Sequence, residues 1–183
     1  MISVLVPLAQ GCEELEAITV IDLLRRADIE VITAGLDNQV VVARRGTKLV
    51  PDTDLDSALE REFDMVVLPG GLPGADHLDS DNRIRFLLRK MADSGKFIAA
   101  ICAAPKVLAN AGLLENKNAT GYPGSLDNLN LTNTIIRNEP VVRDGKIITS
   151  RGPGTAMDFA LELIEVLVGQ EKRNEVETAL VRP

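Results

Sequence analysis

The chain has 183 residues, 45% hydrophobic and 26% charged, with 27 acidic against 20 basic side chains and a formal net charge of −7. That is enough apolar material for one globular domain with a substantial core, expected over residues 1–183. The charge argues against attraction to a nucleic-acid backbone or an anionic membrane, and no apolar run is long enough to span a bilayer. One histidine and two cysteines leave neither a structural zinc site nor a disulfide framework, so no metal and a reducing cytoplasm are expected.

Ile2 to Ala9 is a continuous apolar run, the pattern of a parallel strand covered on both faces, and Gln10-Gly11 breaks it before a helix from about Glu13 to Ala27. At about 100° per residue, Ala17, Val20, Ile21, Leu23, Leu24 and Ala27 share one face of that helix, while Glu14, Thr19, Asp22, Arg25 and Arg26 share the other. Glu16 falls among the apolar residues. Either it is enclosed, and then protonated or partnered because a lone buried carboxylate is costly, or it is a first-turn glutamate favoured by the helix dipole. Leu15 and Ile18 point to the polar face, which predicts a cover for it, a second subunit being the expected one.

Ile29 to Ala34 reads as the next strand, followed by a hairpin of Val40 to Ala43 and Thr47 to Val50 that is expected as an antiparallel addition beside a parallel sheet. Pro51 to Leu59 reads as a turn and a short helix. Met65 to Leu68 is another buried strand, ending in the loop Pro69-Gly70-Gly71-Leu72-Pro73-Gly74, either a plain turn or a place where backbone N–H groups approach a ligand. The G-x-G-x-x-G pattern is absent, so no dinucleotide site and no cofactor are predicted. Asp81 to Ser94 is an amphipathic helix.

Phe97 to Ile101 is a strand that turns at Cys102 into a helix from Pro105 to Ala111, with Pro105 suited to a first turn and Gly112 to a C-cap. A residue on such a corner needs small neighbours two positions to either side, which Ala100 and Ala104 supply. The pattern small-x-Cys-x-small is the thiol counterpart of the hydrolase G-x-S-x-G elbow, and it sets the sulfur at a helix start, where thiolate is favoured. The competing reading is an inert cysteine packed as a small hydrophobe. Cys12, on the Gly11 turn, reads as an accessory surface thiol or as a partner for a stress-induced link to Cys102.

The remainder holds a short strand and turn at Ala119 to Gly124, a polar stretch to Glu139, a hairpin of Val141 to Arg143 and Lys146 to Thr149 about Asp144-Gly145, an apolar helix from Ala156 to Val168, and a last helix from Glu171 to Leu180. Strands alternating with helices predict an α/β, flavodoxin-like, doubly wound sandwich with a mostly parallel central sheet. Its ligand crevice gathers the loops after the first strand, after the Met65 strand and at Cys102. Glu16, Gly70, Gly71 and Cys102 then share one rim, with the N–H groups of Gly71 and Ala103 as oxyanion donors for attack on a carbonyl.

These segments, GCEELEA with Glu16, VVLPGG with Gly70 and Gly71, AAICAAP with Cys102 and TSRGPGT from Thr149 to Thr155, resemble the ThiJ/PfpI superfamily over essentially the whole chain, and within it the deglycase branch. The resemblance implies a homodimer built partly on the first helix and a protonated glutamate, Glu16, hydrogen-bonded to a nucleophilic Cys102. It also implies that Glu13 and Arg45 line the pocket rim. Tyr122 stands where one branch carries a histidine, and Ala103 stands where protease-like members place theirs, which speaks against a Cys-His protease. His77 matches no catalytic position.

The implied activity is that of a deglycase or glutathione-independent glyoxalase, of hydrolase or lyase class, acting on methylglyoxal, glyoxal or their adducts on protein amines and thiols under carbonyl and oxidative stress. A redox-sensing chaperone signalled by Cys102 oxidation is the alternative.

Overall fold

The computed structural model describes residues 1–129 and 131–182. Seven strands make one sheet in the order β10 (Val141–Asp144), β11 (Ile147–Ser150), β7 (Phe97–Ile101), β6 (Met65–Leu68), β1 (Ser3–Leu8), β2 (Glu30–Gly35) and β5 (Thr53–Asp54). All neighbours run parallel except β10, the first and outer strand of the Asp144-Gly145 hairpin.

The apolar runs have no polar alternation because both faces are covered. Val4, Val6 and Leu8 of β1, Met65 and Val67 of β6, and Ala99 and Ile101 of β7 enter one core layer. Leu5, Val66, Leu68, Ile98 and Ala100 enter the other. Helix α1 (Glu14–Arg26) and helix α6 (Ala156–Val168) pack together over the first layer. Helix α4 (Asn82–Asp93) and helix α5 (Pro105–Asn110) cover the second, α4 through Ile84, Leu87, Leu88 and Met91. Each such aliphatic side chain contributes about 1.5–3 kcal/mol through burial. No described helix is long and apolar enough to cross a membrane.

Several features differ from expectation. The hairpin of β3 (Val41–Val42) and β4 (Lys48–Leu49) forms a separate two-stranded sheet and does not extend the main one. Gly11 N–H donates to Val42 O at 2.9 Å and Arg44 N–H to Cys12 O at 2.8 Å, so the hairpin folds over the end of β1. Glu14, assigned to the polar face, is buried beneath this hairpin, where its carboxylate accepts from the N–H groups of Arg45 at 3.0 Å and Thr47 at 3.4 Å. A seven-residue helix, α3 (Gly74–Ser80), follows the glycine loop, and β8 (Asn118–Ala119), where a short strand is expected, pairs with a second short strand, β9 (Ile135–Ile136), inside the polar stretch.

Candidate active site

The strand order reverses between β1 and β6: the chain moves from β1 to β2 on one side, and from β6 to β7 on the other. The crevice at the carboxyl ends of these strands is where such sheets hold their ligands.

Cys102 follows β7 with φ of 63°, a left-handed conformation that costs a non-glycine residue roughly 1–3 kcal/mol. The corner is held at both ends. Cys102 N–H donates to Ser150 O at 2.9 Å, and Cys102 O accepts from Tyr122 N–H at 2.7 Å. Ala100 and Ala104 are fully buried beside it, and Gly70 approaches so closely that an added Cβ would lie 2.6 Å from the Cys102 Cβ. Cys102 itself retains 8% exposure, so a narrow opening reaches it.

Glu16, on the second residue pair of α1, is wholly enclosed. Its Oε2 accepts from Gly70 N–H at 2.9 Å. Its Oε1 meets no donor in good geometry among the described residues, while the Cys102 side chain is close enough to share a hydrogen bond with the carboxyl. Burial pushes the Glu16 carboxyl up to about 7, against the lowering influence of Gly70 N–H and Cys102. Protonation resolves the orphan oxygen by turning it into a donor.

The sulfur departs from the expected readily formed thiolate. Burial, then the charge of Glu16 and its hydrogen bond, push the Cys102 thiol up to about 12, opposed by the N–H groups of Gly71 and Ala103. The six residues of α5 give only a weak helix-start field by comparison with this desolvation. Both contributions of Glu16 require its ionised form, so a protonated Glu16 removes them and donates to sulfur instead. The two groups titrate as one system.

The glycine loop fits this corner by backbone alone. Gly71 has φ of 83°, and a Cβ there would strike the backbone nitrogen of Glu13. Glu13 N–H donates to Gly70 O at 2.9 Å, so Glu13 serves the site through its main chain. Arg45 is exposed and its described hydrogen bonds tie it to Glu14, not to Cys102. Tyr122 stands 54% exposed across Gly152 from the sulfur: a Cβ on Gly152 would lie 3.4 Å from the Tyr122 ring and 4.0 Å from Cys102 Sγ.

Gly152 and the Ser150 carbonyl are site components without an assigned role in the sequence, although both lie in the TSRGPGT segment that signalled them. In that segment Ser150 Oγ bonds Pro140 O at 2.8 Å and Thr155 Oγ1 at 2.7 Å, and Thr149 Oγ1 accepts from Thr120 N–H at 2.9 Å. Cys12 is a correction. It is fully buried, not a surface thiol, and burial followed by the charge of Glu14 pushes it up to about 12.

His77 is exposed and lines a larger, open crevice of about 610 Å³ with Gln10, Leu36 and Asp37, to which Cys102 contributes nothing. Among the described residues no group of three or more His, Cys, Asp or Glu side chains is gathered to hold a metal.

Residues 2–166 match the DJ-1/PfpI family. Protein dj-1beta of Drosophila melanogaster is 45% identical over 180 residues, 98% of this chain and 96% of that protein. Its crystal structure superposes with a TM-score of 0.95 at 44% identity, covering 100% of this chain and 98% of the other. Oxidized Toxoplasma gondii DJ-1 gives a TM-score of 0.94 at 36% identity, covering 99% and 98%. The glutathione-independent glyoxalase DJR-1.2 of Caenorhabditis elegans is 35% identical over 167 residues, 91% of this chain and 89% of that protein.

Proposed function

Because this chain belongs to the DJ-1/PfpI family, we propose that it is a cysteine-dependent glyoxalase and deglycase that acts on methylglyoxal, glyoxal and their early adducts on amines and thiols. One observation carries this: an enclosed Glu16 with a single satisfied oxygen stands beside Cys102, whose charged form the N–H groups of Gly71 and Ala103 favour. A glyoxalase relative at 35% identity supports it.

Cys102 gives its S–H proton to the Glu16 carboxylate as its sulfur bonds to the aldehyde carbon, and the carbonyl electron pair moves to oxygen, which takes that proton from Glu16. The Gly71 and Ala103 N–H groups are the donors available to that oxygen as charge develops. Glu16, now a carboxylate, removes the proton on the former aldehyde carbon; the hydroxyl proton there passes to the neighbouring carbonyl oxygen, and Glu16 returns its proton to the adjacent carbon, leaving a carbonyl beside sulfur. A thioester of a 2-hydroxy acid results, and water cleaves it to the acid and free Cys102. In an adduct, sulfur displaces the amine or thiol from the hydroxyl-bearing carbon, Glu16 hands the Cys102 proton to the leaving nitrogen or sulfur, and the same hemithioacetal follows.

Two unpaired buried cysteines suit a reducing cytoplasm. The half-exposed Leu15 and Ile18 on α1 support a homodimer.

The test is lactate formation from methylglyoxal by the purified protein and by Cys102→Ser. Loss of turnover in the variant is expected, and full activity in it would overturn the assignment. The same donors around Sγ would hold a sulfinate, so oxidation by two equivalents of hydrogen peroxide, with release of two waters, is the second reading. It prevails if Cys102 gains two oxygens at low peroxide while lactate formation is absent.

A further inference from the structure

Beside the Cys102 corner lies a groove of about 190 Å³ that the steps above do not use. Tyr122, Ile136, Arg137, Asn138 and Arg151 line it, with Asp127 as its lining carboxylate. It adjoins the sulfur through one residue. Arg151 precedes Gly152, whose bare Cα leaves a gap between the Tyr122 ring and Cys102 Sγ, the two lying 3.4 Å and 4.0 Å from where a Cβ would stand.

The groove also carries charge that the protein leaves open. Arg25, Arg61, Arg83, Arg143 and Arg182 are each paired with a carboxylate. Among the described residues, Arg137 and Arg151, like Arg44, Arg45, Arg85 and Arg89, have no carboxylate at ion-pair distance, and of these only Arg137 and Arg151 share the groove. Arg137 is steadied by a 2.9 Å hydrogen bond from its Nε to Asn118 Oδ1, which leaves its two terminal nitrogens for another partner. In a chain of net charge −7, two arginines facing one groove against a single aspartate are a local reversal of sign. Guanidinium groups match carboxylates by paired N–H donors.

We propose that this groove sets substrate preference: Arg137 and Arg151 bind a carboxylate on the part of the substrate remote from the reacting carbon, so that carboxylate-bearing aldehyde adducts are taken in preference to neutral ones. The identity of the substrate rests on the glyoxalase and deglycase reading; the cationic subsite does not. Two sources share this chemistry, the α-carboxylate of a single amino-acid or thiol adduct and an acidic side chain next to an adduct in a polypeptide.

The subsite is tested without turnover by alkylating Cys102 with N-iodoacetylglycine and with N-iodoacetylglycinamide, where sulfur displaces iodide from reagents that differ in one carboxylate set away from the reacting carbon, and mapping the product by mass spectrometry. The wild-type ratio of N-iodoacetylglycine to N-iodoacetylglycinamide rates should fall about threefold or more in Arg137→Gln/Arg151→Gln and with added salt. The ratio should be kept in Arg151→Lys, which retains the charge and controls for misfolding. An equal ratio in wild type and the double glutamine variant overturns the subsite, whatever the enzyme's activity.

The source is then read by kcat/KM on methylglyoxal adducts of N-acetylcysteine, of N-acetylcysteine amide, and of a capped peptide with aspartate beside the cysteine. An arginine-dependent preference for the first over the second assigns the α-carboxylate, and one for the third over the second assigns the polypeptide. An arginine-dependent alkylation ratio with no preference among the three overturns the substrate claim.

Discussion

Gly70 and Cys102 meet back to back, with the position of a Gly70 Cβ only 2.6 Å from the Cys102 Cβ and 2.7 Å from the Ile101 carbonyl oxygen. The same glycine donates its N–H to Glu16 Oε2, so one residue sets both the height of the Cys102 corner and the position of the Glu16 carboxyl. Gly70→Ala must separate these strand ends. We expect it to destabilise the fold by about 1–3 kcal/mol and, by displacing Cys102 relative to Glu16, to lower Cys102-dependent turnover by about a hundredfold. Thermal melts and lactate assays on the folded fraction check both.

The strands β1, β6 and β7 were legible because burial on both faces writes an unbroken apolar run, and the Cys102 corner because its flanking alanines are a steric demand. Glu16 was legible because it breaks the apolar face of α1. What escaped is what depends on distant chain segments. Glu14 sits on the polar side of the wheel, and only the hairpin folding over α1 encloses it. Cys12 follows a turn that normally faces solvent, but the backbones of Gly71 and Gly74 close over it. Helix α3, with the sequence GADHLDS, is too short and too polar to show a period.

Leu15 and Ile18 are 49% and 45% exposed on an otherwise charged helix face. An assembly of two copies would cover them. Light scattering at micromolar concentration should give twice 19.7 kDa, and Leu15→Glu with Ile18→Glu should shift the mass to that of one chain. A wild-type mass of one chain would remove the dimer.

Cys12 has no exposed surface, whereas Cys102 keeps an opening. In the native protein at neutral pH, iodoacetamide and peroxide should therefore modify Cys102 and spare Cys12, and Cys12 should react only after denaturation. Peptide mapping before and after unfolding decides this. Native labelling of Cys12 at a rate near that of Cys102 would contradict its enclosure.

Glu16 gives the sharpest pH signature. Its carboxyl stands at about 7 in the fold, raised by burial above the ordinary 4.5, so the folded state binds more protons than the unfolded chain between those values. Stability from this group is full below about pH 4.5 and is lost as pH rises through about 7, a swing on the order of 3 kcal/mol. Glu16→Gln cannot titrate. It should match wild type near pH 5 and melt at a higher temperature near pH 8.

Glu16→Leu strands the Gly70 N–H and should be less stable than Glu16→Gln at both pH values by about 1–3 kcal/mol. The chemistry separates the same variants. Gln keeps a donor for the sulfur and carries no charge to oppose the thiolate, so Cys102 alkylation should persist while lactate formation, which needs a proton carried from one carbon to the next, is lost. Leu offers neither donor nor relay, and its alkylation profile should move to higher pH than that of Gln by about one unit. Alkylation rates against pH for wild type, Gln and Leu that overlay one another would mean that Glu16 does not govern the sulfur, and the proton relay would fall with it.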